Sequence, residues 1–263
     1  MKNDYETDRV ALGRQLSGCG EVRTLGIKCN WQDYSADEQR CIRMASTVYF
    51  PTILYAASLH GAGKRIFPSI TCYTHLGDKT RQTALFAIGR VPMPETRIFR
   101  GGNLEEKITD AFSFPFVAKV PCGTGRGQGV FLVRDRAGLK KYLQITSTAY
   151  IQEYLGARRD LRVVVIGRKP VLAYWKEARG GDFRNNVARG AGISFDNVPE
   201  EGIALALETA LNCGIDHAGF DVAESEEGFV VIEANMKFGT EGFERAGISY
   251  RDILCEMVRN NEI

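Results

Sequence analysis

Phe116-Val-Ala-Lys-Val120 runs through Pro121 into Cys122-Gly-Thr-Gly-Arg-Gly-Gln-Gly129, and out again into Val130-Phe-Leu-Val-Arg134. Two β-branched and aromatic runs flank a loop with four glycines in eight positions. That pattern reads as strand, loop, strand. Such glycines let backbone N–H groups turn toward an anion without Cβ interference. The two familiar phosphate loops do not fit. GxGxxG would need glycine where Gln128 or Val130 stands, and the Gly63-Lys64 pair is followed by Arg65 rather than Ser or Thr. Both of those loops open a helix, whereas Val130–Arg134 has strand character. The loop is therefore a flap between strands, and the expected fold class is α+β rather than a doubly wound parallel sheet.

Lys119 sits inside the apolar strand that enters the flap. A strand-interior lysine is expensive to bury without an anion, so the reading is either a ligand-facing ammonium or an edge-strand lysine in water. Further along, Gly219-Phe-Asp-Val222 and Val230-Val-Ile-Glu-Ala-Asn235 form a hairpin across Glu224–Gly228. Strand alternation puts Glu233 and Asn235 on one face and Val230 and Ile232 on the other. Asp221 can lie beside them. Two carboxylates and a carboxamide make an oxygen donor set that suits Mg²⁺ and not zinc. Nothing in the local sequence offers these acids a Lys or Arg before Lys237. Basic residues cluster between the two regions, at Arg158, Arg159, Arg162, Lys176, Arg179, Arg184 and Arg189. Arg184 stands out inside Asp182-Phe-Arg-Asn-Asn186, where a guanidinium could stabilise phosphoryl charge.

Outward from these motifs, the first twenty residues read as a polar lead-in and Val22–Lys28 as a strand. Ala36–Ser46 reads as a helix capped near Asp33 or Ser35, Thr52–Leu59 as a helix after Pro51, and Lys64–Phe67 as a strand. Gly77–Ile88 is helical, Glu95–Phe99 a strand, and Asn103–Ala111 a helix with Asn103 as its cap. Ala137–Leu143 is helical and Ala149–Tyr154 a strand. Leu161–Ile166 and Val171–Lys176 are strands joined by a turn. Pro199–Asn212 and Tyr250–Arg259 are helices. Composition agrees with a folded chain: of 263 residues, 44% are hydrophobic and 25% charged. With 34 basic against 32 acidic side chains, the balance does not point to nucleic acid. The seven cysteines show no CxxC spacing, which argues against zinc and against a disulfide framework. The polar start and the absence of a ~20-residue apolar run predict no signal peptide and no membrane span. The expectation is a cytoplasmic protein.

The order of these motifs resembles the ATP-grasp superfamily, and within it the RimK-type amino-acid ligases, over about residues 65 to 250. The specific elements are Asp182-Phe-Arg-Asn185-Asn186 and Glu233-x-Asn235, preceded in order by Gly77-Asp-Lys79, Lys119 before the glycine flap, Ile151-Gln-Glu-Tyr154 and Asp160-x-Arg162. The resemblance implies an ATP-grasp fold, two α+β halves clamping ATP. Residues 1–75 would be a shortened N-terminal α/β domain. Residues 76–263 would be the ATP-grasp domain, divided into a flap subdomain of about 95–153 and a metal-bearing one of about 154–263. Lys79 and Lys119 would contact the ATP phosphates, with Gly125, Gly127, Gln128 and Gly129 closing over them. Gln152, Glu153 and Tyr154 would hold the adenine, and Asp160 would lie at the nucleotide. Arg184 would be catalytic. Asp221, Glu233 and Asn235 would bind two Mg²⁺, with Mn²⁺ as an alternative ion.

The activity implied is joining a small-molecule or peptide carboxylate, activated as acyl phosphate, to an amine. A kinase acting on a hydroxyl and a non-catalytic ATP-binding module are the other readings, and homo-oligomerisation is left open. Three departures stand out. The N-terminal domain is short, and the flap is one residue longer than usual. Met236-Lys-Phe-Gly239 also stands where the family has small residues and proline.

Overall fold

The structure is a computed structural model that describes residues 8–122, 129–157, 159–177 and 192–263. The chain opens with strand β1 (Arg9–Ala11), followed by β2 (Arg23–Thr24), helix α1 (Ala36–Met44), β3 (Thr47–Tyr49), α2 (Thr52–Gly61) and β4 (Arg65–Phe67). These strands form a parallel sheet in the order β2-β1-β3-β4. Strand alternation divides the two faces. Val10, Leu12, Val48 and Ile66 face α1 and α2, while Ala11, Tyr49 and Phe67 face the rest of the molecule. Two expectations are corrected here. The supposed polar lead-in contains β1, a central strand with Val10 and Ala11 fully buried. Three residues between charged flanks gave too short a period to recognise. The expected strand Val22–Lys28 is reduced to β2, because Gly26 adopts a positive φ of 81° and ends it. The α1 N-terminus follows the sequence: Ser35 and Glu38 close a reciprocal capping box.

Helices α3 (Ile70–Thr74) and α4 (Lys79–Ile88) lead to a second sheet. It is built from β5 (Thr96–Arg100), α5 (Leu104–Ala111), β6 (Phe116–Lys119), β7 (Val130–Val133), α6 (Arg136–Leu143) and β8 (Thr148–Glu153), in the strand order β5-β8-β6-β7. Every pair in this sheet is antiparallel. One face, carrying Phe116, Ala118, Val133, Ala149 and Ile151, packs on Ile108 of α5 and on Leu139 and Tyr142 of α6. Asn103 precedes α5 but does not cap it with its side chain; it sits in the left-handed region at φ 57°.

The third sheet comprises β9 (Arg159–Ile166), β10 (Lys169–Glu177), β11 (Gly192–Ser194), β12 (His217–Ser225) and β13 (Gly228–Asn235), ordered β11-β10-β9-β12-β13 and antiparallel throughout. Helix α7 (Glu200–Cys213) covers one face. There Leu161, Val163, Trp175, Phe220 and Val222 meet Ala206 and Ala210. Gly202 makes the close approach: a Cβ on it would fall 2.5 Å from Leu161 Cδ2. The opposite face is split along the strands. Val164 and Ile166 join Tyr49 and Phe67 of the first sheet, Phe243 of α8 (Glu241–Ala246), and Leu254 and Val258 of α9 (Tyr250–Arg259) in one core. The other half of that face is polar and looks toward the second sheet. The described residues form an α+β fold with one parallel and two antiparallel sheets.

Candidate active site

The polar half begins with a rung that crosses four strands. Backbone register sets Tyr174 opposite Arg162, Arg162 opposite Asp221, and Asp221 opposite Glu233. Asn235 lies two residues further on β13. Its Nδ2 donates to Asp221 Oδ2 at 3.2 Å and to Glu233 Oε1 at 3.0 Å. The three predicted ligands thus converge. The face argument needs one correction. A bulge between Asp221 and Val222 leaves Ile232 without a partner, so Val231 and Ala234 take the core face, while Ile232 lines the same cleft as Glu233.

A second correction concerns charge compensation. Asp221 is 5% exposed. Arg162 donates through Nε to Oδ1 at 2.7 Å and through Nη2 to Oδ2 at 3.1 Å, and Lys176 Nζ lies 2.7 Å from Oδ1. Burial alone would raise this carboxyl; the Arg162 and Lys176 charges outweigh it and hold it at about 2. These cations come from β9 and β10, distant in sequence, which is why the local sequence around β12 and β13 did not reveal them. Asp160, on the same face, has its Oδ2 4.0 Å from Lys176 Nζ. Among the described residues no three His, Cys, Asp or Glu converge. The candidate cation site is two carboxylates and a carboxamide, a donor set that fits a hard cation.

Across the cleft stands Lys119, 5% exposed, in the strand that enters the flap. Its Nζ lies 5.7 Å from the centroid of the Tyr150 ring. Burial pushes the ammonium down from its ordinary range, opposed by the carboxylates of Glu233, Asp160 and Asp221. The edge-strand alternative is excluded, since β6 lies between β8 and β7. Tyr142 fixes the lysine's backbone: its hydroxyl donates to Lys119 O at 2.7 Å and accepts from Tyr150 N at 2.9 Å. Lys79 arrives from a third direction as the first residue of α4, whose N-cap Asp78 accepts from Arg81 N. Lys79 N donates to Pro121 O at 3.0 Å, tying the helix to the end of the flap strand. Its ammonium is likewise pushed down, first by burial and then by Lys119, with Glu233 opposing. Among the described residues neither ammonium has a hydrogen bond or an ion pair. Both line one cleft together with Tyr150, Gln152 and Glu233.

The remaining expectations separate. Gln152 is buried and its amide donates to Thr96 Oγ1 at 2.9 Å. Glu153 is exposed; its N–H donates to Glu95 O, and its carboxylate accepts from Glu95 N at 3.3 Å. Tyr154 follows directly, where the chain leaves β8. Gly129 adopts φ 70° and its carbonyl accepts from Val120 N. Gly125, Gly127, Gln128 and Arg184 lie outside the described residues. Sequence reasoning missed Tyr142 and Tyr150, and names Lys176 only as a member of a basic cluster. Strand alternation puts Arg162 on Asp160's face, but does not place it beside Asp221, which lies on another strand.

A family model described as a RimK-like ATP-grasp domain matches residues 76–259. The chain belongs to the RimK-like ATP-grasp family. Among curated RimK-like relatives, the ribosomal protein bS6–L-glutamate ligase of Escherichia fergusonii is 32% identical over 190 residues, 69% of this chain and 62% of that protein. The protein of the same description from Escherichia coli O81 is 30% identical over the same shares. The chain therefore spans somewhat less than two thirds of the length of these relatives. Among solved structures, the ATP-grasp ligase PsnB complexed with minimal precursor superposes with a TM-score of 0.71 at 16% identity, covering 97% of this chain and 99% of that one. A D-alanine–D-alanine ligase from Bacillus anthracis gives 0.65 at 14% identity, covering 97% and 99%. At these identities the structural likeness shows the ATP-grasp fold.

Proposed function

We propose that the chain is an ADP-forming, ATP-dependent ligase that joins a small-molecule or peptide carboxylate to an amine. The observation that carries this is the buried Lys119 ammonium and the half-buried Lys79 ammonium, neither hydrogen-bonded nor ion-paired among the described residues, facing the Asp221–Glu233 carboxylates across one cleft. Buried cations without partners call for a polyanion, and carboxylates beyond them call for a cation bound to it. Mg²⁺, as two ions or replaced by Mn²⁺, would be held by Asp221, Glu233 and Asn235, and would supply charge neutralisation on the phosphates. The relatives' description as L-glutamate ligases supports an amino acid as the amine and a peptide or protein end as the carboxylate.

The chain's own groups have defined tasks in this reading. Lys79 and Lys119 bind and orient the triphosphate, and the flap excludes water over it. The half-buried Val117, Val130 and Leu132 lie on the cleft side of the second sheet by strand alternation. They offer an apolar floor to a base whose edge meets the backbone at Glu153 and Tyr154. A substrate carboxylate oxygen attacks the terminal phosphorus, ADP leaves, and Arg184 carries charge on the transferring group. The amine then attacks the acyl carbon, the C–O bond to phosphate breaks with its electron pair going to phosphate, and the amine's proton passes to the departing phosphate or to water. No protein nucleophile is needed, and all seven cysteines are free, which supports a reducing, cytoplasmic setting. The division near residue 75, and the flap and metal-bearing parts within 76–263, belong to the same proposal. The test is ADP and phosphate release with candidate carboxylates, with and without amino acids. A ligase releases both only when both substrates are present. ADP without phosphate, independent of amine, would assign a kinase instead.

A further inference from the structure

Asp221 has no lone pair left for a metal. Its two oxygens offer about four acceptor positions. Arg162 takes two of them, and Lys176 and Asn235 take one each. The three donors differ in how readily they can withdraw. Arg162 is held flat: its Nη1 lies 2.7 Å, and its Cδ 3.1 Å, from where a Cβ on Gly219 would be. The bare Cα of Gly219 is what lets the guanidinium reach across β12. Asn235 need only turn its amide to present oxygen in place of N–H. Lys176 has a flexible stem and a second seat, because its register partner is Asp160 and that carboxylate lies 4.0 Å from Nζ on the same face.

We propose that Lys176 holds the cation's place in the nucleotide-free chain, its ammonium sitting on Asp221 until a divalent ion arrives and then moving to Asp160. This rests on the reading of Asp221, Glu233 and Asn235 as cation ligands. An ammonium and a divalent ion cannot share one Asp221 oxygen, because like charges at that separation repel strongly. Free metal must therefore displace Lys176 unaided. Metal delivered on a nucleotide brings phosphate oxygens that accept the released ammonium near Asp160. The consequence is an order of events in which the isolated cation binds weakly and the cation–nucleotide pair binds well.

The test is Mn²⁺ binding to the full chain, followed by the electron paramagnetic resonance of free Mn²⁺, for wild type and for Lys176→Met, which keeps the stem and removes the charge. Without nucleotide, Lys176→Met is expected to bind Mn²⁺ about tenfold or more tightly than wild type, the scale of one charged contact. Equal or weaker binding by the variant, with nucleotide-dependent Mn²⁺ binding intact in wild type, overturns the proposal. Wild type that takes up no Mn²⁺ even with ATP overturns instead the cation-ligand reading on which the proposal stands. Should the variant not fold, a structure of wild type with Mn²⁺ and a non-hydrolysable ATP analogue decides. Lys176 Nζ is expected to have left Asp221 for Asp160 or a phosphate. Lys176 still paired with a metal-bound Asp221 would sink the idea.

Discussion

Lys119 shows how a single side chain separates binding from folding. Its ammonium is buried with no ion pair among the described residues, so removing it relieves a desolvation penalty while deleting a contact to any bound polyanion. Lys119→Ala is expected to raise the Mg-ATP dissociation constant about ten- to a hundredfold, equivalent to roughly 1.5–3 kcal/mol, with a melting temperature equal to or above wild type. Titration calorimetry and a thermal melt on the same sample check both halves; an unchanged dissociation constant would remove Lys119 from the nucleotide site. Arg184 is proposed to act on the transferring phosphoryl group and so to matter most in the transition state. Arg184→Ala is expected to lose at least about a hundredfold in turnover, on the order of 3 kcal/mol, while ATP affinity stays within about tenfold. Arg184→Lys should recover only part of the loss, because an ammonium cannot make a forked contact. Steady-state kinetics at saturating ATP, set against direct binding, separates the two cases.

At the level of elements, the long antiparallel strands were legible because alternation and glycine turns mark them. The Asp221–Glu233 pairing followed from the hairpin alone. What escaped was whatever depends on neighbours distant in sequence: the bulge at Ile232, and the Arg162 and Lys176 cations across the sheet. Strand β1 escaped for a different reason, since three residues are too few to show a period. Two elements carry predictions. In α7, Gly202→Ala would drive a methyl into Leu161, so a loss of roughly 1–3 kcal/mol is expected, with Mg-ATP affinity unchanged in the folded fraction. Chemical denaturation with a parallel binding titration measures this. At the start of β12, His217 packs among Phe50, Phe67 and Phe238, and its Nε2 meets the Tyr250 hydroxyl at 2.6 Å. Burial pushes its imidazole from 6.5 down to about 4. The unfolded chain therefore takes up a proton below about pH 6.5 that the folded chain refuses until about pH 4. Stability falls as pH drops through that window, by on the order of 3 kcal/mol, and flattens below it. His217→Phe should show a shallower decline in melting temperature between pH 6.5 and 4; an identical slope would exclude His217 as a source.

On the scale of the whole molecule, the first sheet is not an appendage. Its Ala11, Tyr49 and Phe67 share one core with Val164, Ile166, Phe243, Leu254 and Val258. Tyr49 also donates its hydroxyl to Ile263 O at 3.0 Å. A fragment of residues 76–263, although it contains the whole family match, would expose the apolar half of the third sheet to water. It is expected to aggregate or to lack a cooperative melt, as light scattering and calorimetry would show; a soluble fragment with a sharp transition would mean the two parts fold independently. The split face has a further consequence. Arg162 and Val164 are successive same-face residues, about 7 Å apart along β9, so the charged rung lies at the edge of an oil-like wall with water on its other side. A wall of low polarisability turns field lines back toward the solvent, concentrating the rung's potential into the cleft mouth. Dissolved salt reaches that mouth but not the wall. Ionic strength should therefore slow the arrival of a charged nucleotide while leaving its residence time almost untouched.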